Sequence, residues 1–158
     1  SCVECVECGD FLSYQGSIYG TVTQGSQCWF SENLRSENYE NGEAILGSLS
    51  ASEWDMTTSG AVAVYGEGSS PCDGSGSSGA NACNEEWSLN TYGCLYNWYS
   101  VEDPRGLCPG GWHVPTDLEW TVLTDHLGGA LDAGAALKTE SGWWNNGNGW
   151  PPCTCKFT

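Results

Sequence analysis

The sequence predicts an α+β fold: a small, disulfide-rich, loop-rich domain with two or three short helices and a small antiparallel sheet. Three observations carry that expectation. The 158 residues suit one core and are too few for two. Ten cysteines lie scattered along the chain and not gathered into metal-ligand pairs, which fits an oxidising compartment. Finally, β-favouring runs between glycine turns precede a sharply capped helix start.

The chain opens with SCVECVECGD, which spaces Cys2, Cys5 and Cys8 three apart. Some iron–sulfur motifs open this way, but they need a fourth thiolate close by, and the next cysteine is Cys28. Residues 1–12 therefore read as a cysteine-rich arm engaged in disulfides. In an extended arm, Cys2 and Cys8 face one side and Cys5 the other, so the arm can be tied to two neighbours.

Ile18, Tyr19, Thr21, Val22 and Thr23, set between glycine turns, predict a strand or hairpin entering the core at Trp29. Asn41-Gly42 marks a turn. Residues 47–91 are dominated by Ser, Gly, Ala, Asn and Thr, and 66–84 is the extreme. This composition predicts loop, held down by Cys72 and Cys83. Next, TYGCLYNWYSV (91–101) places Leu95, Trp98 and Tyr99 at helical spacing and predicts a short buried helix ending near Asp103-Pro104.

LCPGGWHVPTDLEW (107–120) holds the clearest local signal. Thr116-Asp117-Leu118-Glu119 is a capping box, in which the Thr116 hydroxyl accepts from the amide of Glu119 and the Glu119 side chain reaches back to the Thr116 amide. Pro115 precedes it, and Cys108 and Pro109 open the corner. Asp117 and Glu119 suit the positive end of the helix dipole. Leu118, Val122, Leu123, Leu127 and Trp120 form the expected apolar stripe, with Trp112 as further core. Gly128-Gly129 stops the helix. A second short helix is predicted at Ala133–Leu137, then a tryptophan-rich turn region, SGWWNNGNGW, and a cysteine-containing tail at 151–158.

Twenty acidic residues against Arg35, Arg105, Lys138 and Lys156 give a formal charge of −16. That repels phosphate backbones and anionic lipid surfaces, so nucleic acid is not an expected partner. No apolar run approaches the roughly 18 residues of a membrane helix, so membrane insertion is not expected. With no apolar, basic-flanked leader at Ser1, the chain reads as a mature product, secreted and extracellular or on the cell surface.

YGTVTQGSQCWFSENLRSENY, YGCLYNWYSV, LCPGGWHVPTDLEWTVLTDHLGG and ALKTESGW stand in order between Tyr19 and Trp144. Together they resemble the Fibrobacter succinogenes major paralogous domain of bacterial secreted and surface proteins, assigned here to residues 13–150. GWHVPTDLEW is similar to the helix start of C-type-lectin-like and formylglycine-generating-enzyme-like domains, which implies a compact α+β domain of that kind. No activity comes with the resemblance. Family members usually continue beyond the SGW region with more strands, so a C-terminally truncated version of the domain is expected, with disulfides replacing those strands.

Five cysteines lie in the body (Cys28, Cys72, Cys83, Cys94 and Cys108), three in the arm and two, Cys153 and Cys155, in the tail. Five is odd. Unless a thiol stays free, at least one body cysteine pairs with an arm or tail, in its own chain or a neighbour's. A truncated sheet leaves an edge that another chain can pair with.

No catalytic residues are assigned. His113 and His126 are the only imidazoles, and neither sits in a Ser-His-Asp or H-E-x-x-H pattern. Asp117 and Glu119 resemble a glycosidase carboxylate pair, but capping already accounts for both. Trp143, Trp144, Asn145, Asn146 and Trp150 are the candidate glycan-binding residues, against the simpler reading that tryptophan fills the core of a chain with three Phe. No metal site and no cofactor are assigned. Calcium among Asp73, Asn81, Asn84 and Glu85 is the one candidate, against a solvated acidic loop. The Ser/Gly/Pro loop at 66–80 suits attached O-linked glycan. The expectation is a non-enzymatic, secreted structural protein that assembles with its own copies into a homo-oligomer or polymer, plausibly a fibre, through inter-subunit disulfides or strand pairing. The alternative is a monomeric lectin-like module that binds glycan or protein.

Overall fold

The computed structural model describes residues 7–67, 84–137 and 155–157. Seven strands and five helices lie among them: β1 (Phe11–Tyr14), β2 (Ser17–Gln24), β3 (Gln27–Phe30), α1 (Ala51–Met56), β4 (Val62–Val64), α2 (Glu85–Tyr92), β5 (Cys94–Tyr96), α3 (Trp98–Val101), β6 (Trp112–His113), α4 (Asp117–His126), α5 (Ala133–Ala136) and β7 (Lys156–Phe157). The α+β expectation holds.

The predicted hairpin is a three-stranded meander. Tyr14 pairs with Ser17 across a two-residue turn in which Gln15 and Gly16 both take positive φ. That turn matches the right-handed twist of the flanking strands. Gln24 pairs with Gln27, and Gly25 supplies the positive φ of the second turn. β7 then enters between β3 and β6 and completes an antiparallel sheet in the order β1-β2-β3-β7-β6. Tyr19 stacks on Phe30 at 4.8 Å and Phe30 meets Trp112 at 4.6 Å, so the aromatic core lies against the middle of this sheet. Leu34, Tyr39, Ile45, Val62, Val64 and Leu107 complete it.

Residues 47–91 are not the continuous loop that their composition suggests. Ser50 and Glu53 form a second capping box and start α1. Val62 and Val64 are buried in β4, and Asn84 caps α2 by accepting from the Trp87 amide. Small polar residues supply the caps, and two valines supply enough apolar surface for one buried strand.

The predicted helix over 91–101 is replaced by three pieces. α2 ends at Gly93, whose φ of +70° lets the backbone pass within reach of Asn33 and Leu34 where a Cβ has no room. Cys94–Tyr96 pairs with Val62–Val64 as a two-stranded ribbon, and Asn97 begins a single helical turn. Leu95, Trp98 and Tyr99, the expected buried face, are 53%, 65% and 46% exposed. Strand pairing with a segment some thirty residues earlier overrides the local spacing.

In α4 the capping box and the glycine stop form as expected. The apolar stripe is rotated, however. Leu123 is buried and Trp120 packs on Trp29 at 4.8 Å, while Leu118 and Val122 face solvent. Residues 120, 123 and 127 share one face at helical spacing, and the tryptophan contact selects it.

Candidate functional site

Around the Leu107–Trp120 corner, Glu119 is the hub. Its Oε2 accepts from the Thr116 amide at 2.9 Å and the Thr116 hydroxyl at 2.8 Å. His113 Nε2 stands 2.9 Å from the same oxygen, and Lys156 Nζ lies 2.8 Å from Oε1. Gln27 adds a hydrogen bond to the Glu119 carbonyl. The Glu119 carboxylate thus ties β6, β7 and α4 together, and its backbone carbonyl adds β3. Burial pushes its pKa up, but the bonds from Lys156, Thr116 and His113 outweigh this and hold it well below the usual carboxylate range. Such a group is a poor proton donor and a weak base at neutral pH. Since Glu119 is ionised, His113 donates through Nε2–H. His113 Nδ1 is buried without a hydrogen-bond partner among the described residues.

Asp117 stays in the exposed first turn of α4, and the other histidine, His126, lies against Gly25 in its last turn. The corner brings His113, Pro115, Thr116 and Glu119 together.

Two disulfides are described. Cys8–Cys28 ties the arm to β3, and Cys108–Cys155 ties the corner to the tail. Each joins a body cysteine to an arm or tail cysteine of its own chain, one of the two arrangements that the odd count allowed. Cys94, counted in the sequence among the cysteines available for disulfides, is corrected by the structure. It is a free thiol, 2% exposed on the inner face of β5, enclosed by core side chains. Burial pushes its pKa up to about 11. Cys2, Cys5, Cys72, Cys83 and Cys153 lie outside the described residues, as do Trp143, Trp144, Asn145, Asn146 and Trp150.

Of the calcium candidates, Asp73 and Asn81 are outside the described residues, Asn84 is occupied as a helix cap and Glu85 is exposed. Among the described residues no cluster of three or more His, Cys, Asp or Glu is placed to hold a metal. No described helix is long and apolar enough to cross a membrane.

Three positioning residues escape sequence reasoning. Asn97 Oδ1 accepts from the amides of Ala61 and Ser100, and its Nδ2 donates to the Ser59 carbonyl. Its Asn-x-x-Ser context is the only local trace of that role. Arg105 stacks on Tyr39 at 3.8 Å and pairs with Asp103 and Glu43. Lys156, 9% exposed, is visible in the sequence only as one of four cations. Beside the corner opens a cavity of about 400 Å³ whose wall includes Glu40, Trp98, Val101, Leu107, Trp112 and Pro115.

A disulfide-tied α+β domain organised around a capped, tryptophan-rich corner is the class these features define. Residues 22–151 match the Fibrobacter succinogenes major domain, and the chain belongs to that family. No curated protein and no solved structure matches the chain.

Proposed function

We propose that the chain is a non-enzymatic, secreted structural protein that assembles with copies of itself into an extracellular or cell-surface structure. The observation that carries this reading is the open β1 end of the five-stranded sheet. Among the described residues β1 pairs only with β2, and Phe11 and Ile18 stand diagonally on one face of that hairpin, 77% and 64% exposed. An unblunted, apolar edge is a template for a strand from another chain. The other end of the sheet is β6. Pairing of β1 with β6 of the next copy is heterologous and propagates, whereas β1 on β1 closes at a dimer. The two intrachain disulfides and the commitment of Glu119 and His113 to internal bonds also favour a scaffold role.

A formal charge of −16 opposes association at low ionic strength, and salt screens it. Sedimentation velocity should therefore show larger species as salt and protein concentration rise, with extended particles in negative stain. Phe11→Lys should return the protein to monomer with unchanged circular dichroism. A wild-type protein that stays monomeric throughout overturns the proposal, and glycan capture by that monomer would favour the lectin-like alternative.

A further inference from the structure

The cavity beside the corner is not used by the assembly reading, and besides Glu40 its polar side chains are His113 and Thr116, both bonded to Glu119. The wall is apolar along Val101, Leu107 and Pro115, with the indole of Trp112 and, at 65% exposure, that of Trp98. Glu40 brings a carboxylate to it. The Glu40 amide donates to the Gly106 carbonyl at 2.9 Å, which seats the residue on the loop after α3. The carboxylate then lies over two glycines. A Cβ at Gly106 would stand 3.4 Å from Oε2, and one at Gly110 would stand 3.3 Å from Oε1. Glu40 takes no part in the ion pairs among the described residues.

The described cations are committed elsewhere. Arg35 pairs with Glu32, Arg105 with Glu43 and Asp103, and Lys156 with Glu119. A free carboxylate, an open indole face and aliphatic walls, in a chain of charge −16, suit a ligand with a positive head and an apolar stem. An anion is repelled, and a neutral polyol leaves the aliphatic walls poorly used.

We propose that this cavity binds an alkylammonium or alkylguanidinium group, on a lysine or arginine side chain of a basic partner or on a free amine. The cationic head lies between the Glu40 carboxylate and the Trp98 indole, and the methylene stem runs along Val101, Leu107 and Pro115. Binding here is separate from strand pairing at β1 and is measured on dilute, low-salt monomer.

The test is a titration of the isotopically labelled full chain, followed by NMR at the Trp98 indole N–H and the Gly106 and Gly110 amides. The probes are acetyl-Gly-Lys-Gly-amide, its arginine counterpart, its Nε-acetyl-lysine counterpart, cadaverine and methyl glucoside. The lysine and arginine peptides should move these signals, and the affinity should fall as salt rises. Trp98→Ala should weaken binding about tenfold, and Glu40→Gln by a comparable factor. Both side chains are exposed, and unchanged dispersion elsewhere in the spectrum verifies folding. Cadaverine binding as tightly as the peptides assigns the site to small amines; tighter peptide binding assigns it to a basic polypeptide. The proposal is overturned if the acetyl-lysine peptide binds as well as the lysine peptide, if methyl glucoside alone moves these signals, or if no cation does.

Discussion

In the five-stranded sheet, the two residues of β7 are held by the Cys108–Cys155 disulfide on one side and the Lys156–Glu119 ion pair on the other. In the β4–β5 ribbon, three residue pairs are held with no disulfide, and the cysteine of β5 is a buried thiol. The ribbon relies on small polar side chains bound to backbone. Asn97 bridges three backbone groups, the Ser100 hydroxyl donates to Asn97 and Ala61, and the Tyr96 hydroxyl donates to the Ser36 carbonyl. A strand too short to hold itself is fixed covalently in one region and by side chains acting as surrogate strand partners in the other.

The contrast is broken most forcefully at the disulfide. Cys108 and Cys155 are 47 residues apart, and losing a cross-link of that span costs about 2–5 kcal/mol. Cys108→Ser/Cys155→Ser should lower the urea midpoint accordingly. Under mild reductant, hydrogen exchange should rise first at the Phe30 amide, which donates to the Cys155 carbonyl, and later at Cys94 in the ribbon. Simultaneous loss of protection at both would show the two regions to be one cooperative unit.

Next in size is Asn97→Ala, the ribbon's counterpart. It removes a helix cap, worth about 1 kcal/mol, and orphans the amide of buried Ala61, for about 2–3 kcal/mol in all. Denaturant unfolding measures the loss, and exchange at the Ala61 amide should accelerate more than exchange at Phe30.

How far each region is legible in the sequence follows the same division. The hairpin and the Thr116 box are local, with every partner within a few residues, and both are read correctly. The Ser50 box is equally local, yet the composition of 47–91 hides it, because overall polarity measures buried area and says nothing about caps. β5 is misread because Leu95, Trp98 and Tyr99 carry a helical spacing, whereas the decisive pairing is with Val62–Val64. Glu119 shows its capping role locally, but its bond to Lys156 depends on where β7 enters the sheet. Glu40 and the cavity carry no local signature, because the wall joins Glu40 to α3 and to the corner that follows it, both far along the chain from Glu40.

Glu119→Gln sharpens the comparison from the sheet side. The substitution keeps an oxygen for Thr116 and removes the charge facing Lys156, at a cost of about 1–2 kcal/mol at neutral pH. The folded-state pKa of Glu119 is depressed, so its contribution is fully present above the ordinary value of 4.5 and is lost as pH falls below it. The wild-type protein should therefore lose stability more steeply than the variant below about pH 4.5, and the two curves should converge in acid. Parallel curves would show that the Glu119 charge contributes nothing to stability.

The smallest effect belongs to Cys94, where the ribbon does without a disulfide. If the thiol serves only as core filler, Cys94→Ala should cost about 1 kcal/mol, the loss of a small buried group. Burial raises its pKa from 9.0 to about 11, so the neutral form is favoured in the folded state and the unfolded chain loses this proton first. Stability from this group is fully present below pH 9 and declines towards pH 11, a decline that the alanine variant should lack. Iodoacetamide at neutral pH should modify Cys94 only as fast as the ribbon opens, and Asn97→Ala should speed that modification. Rapid labelling of the folded wild-type protein would instead mean that β4 and β5 separate readily, and that side-chain bridges hold a short strand far less firmly than the covalent tie does on the sheet.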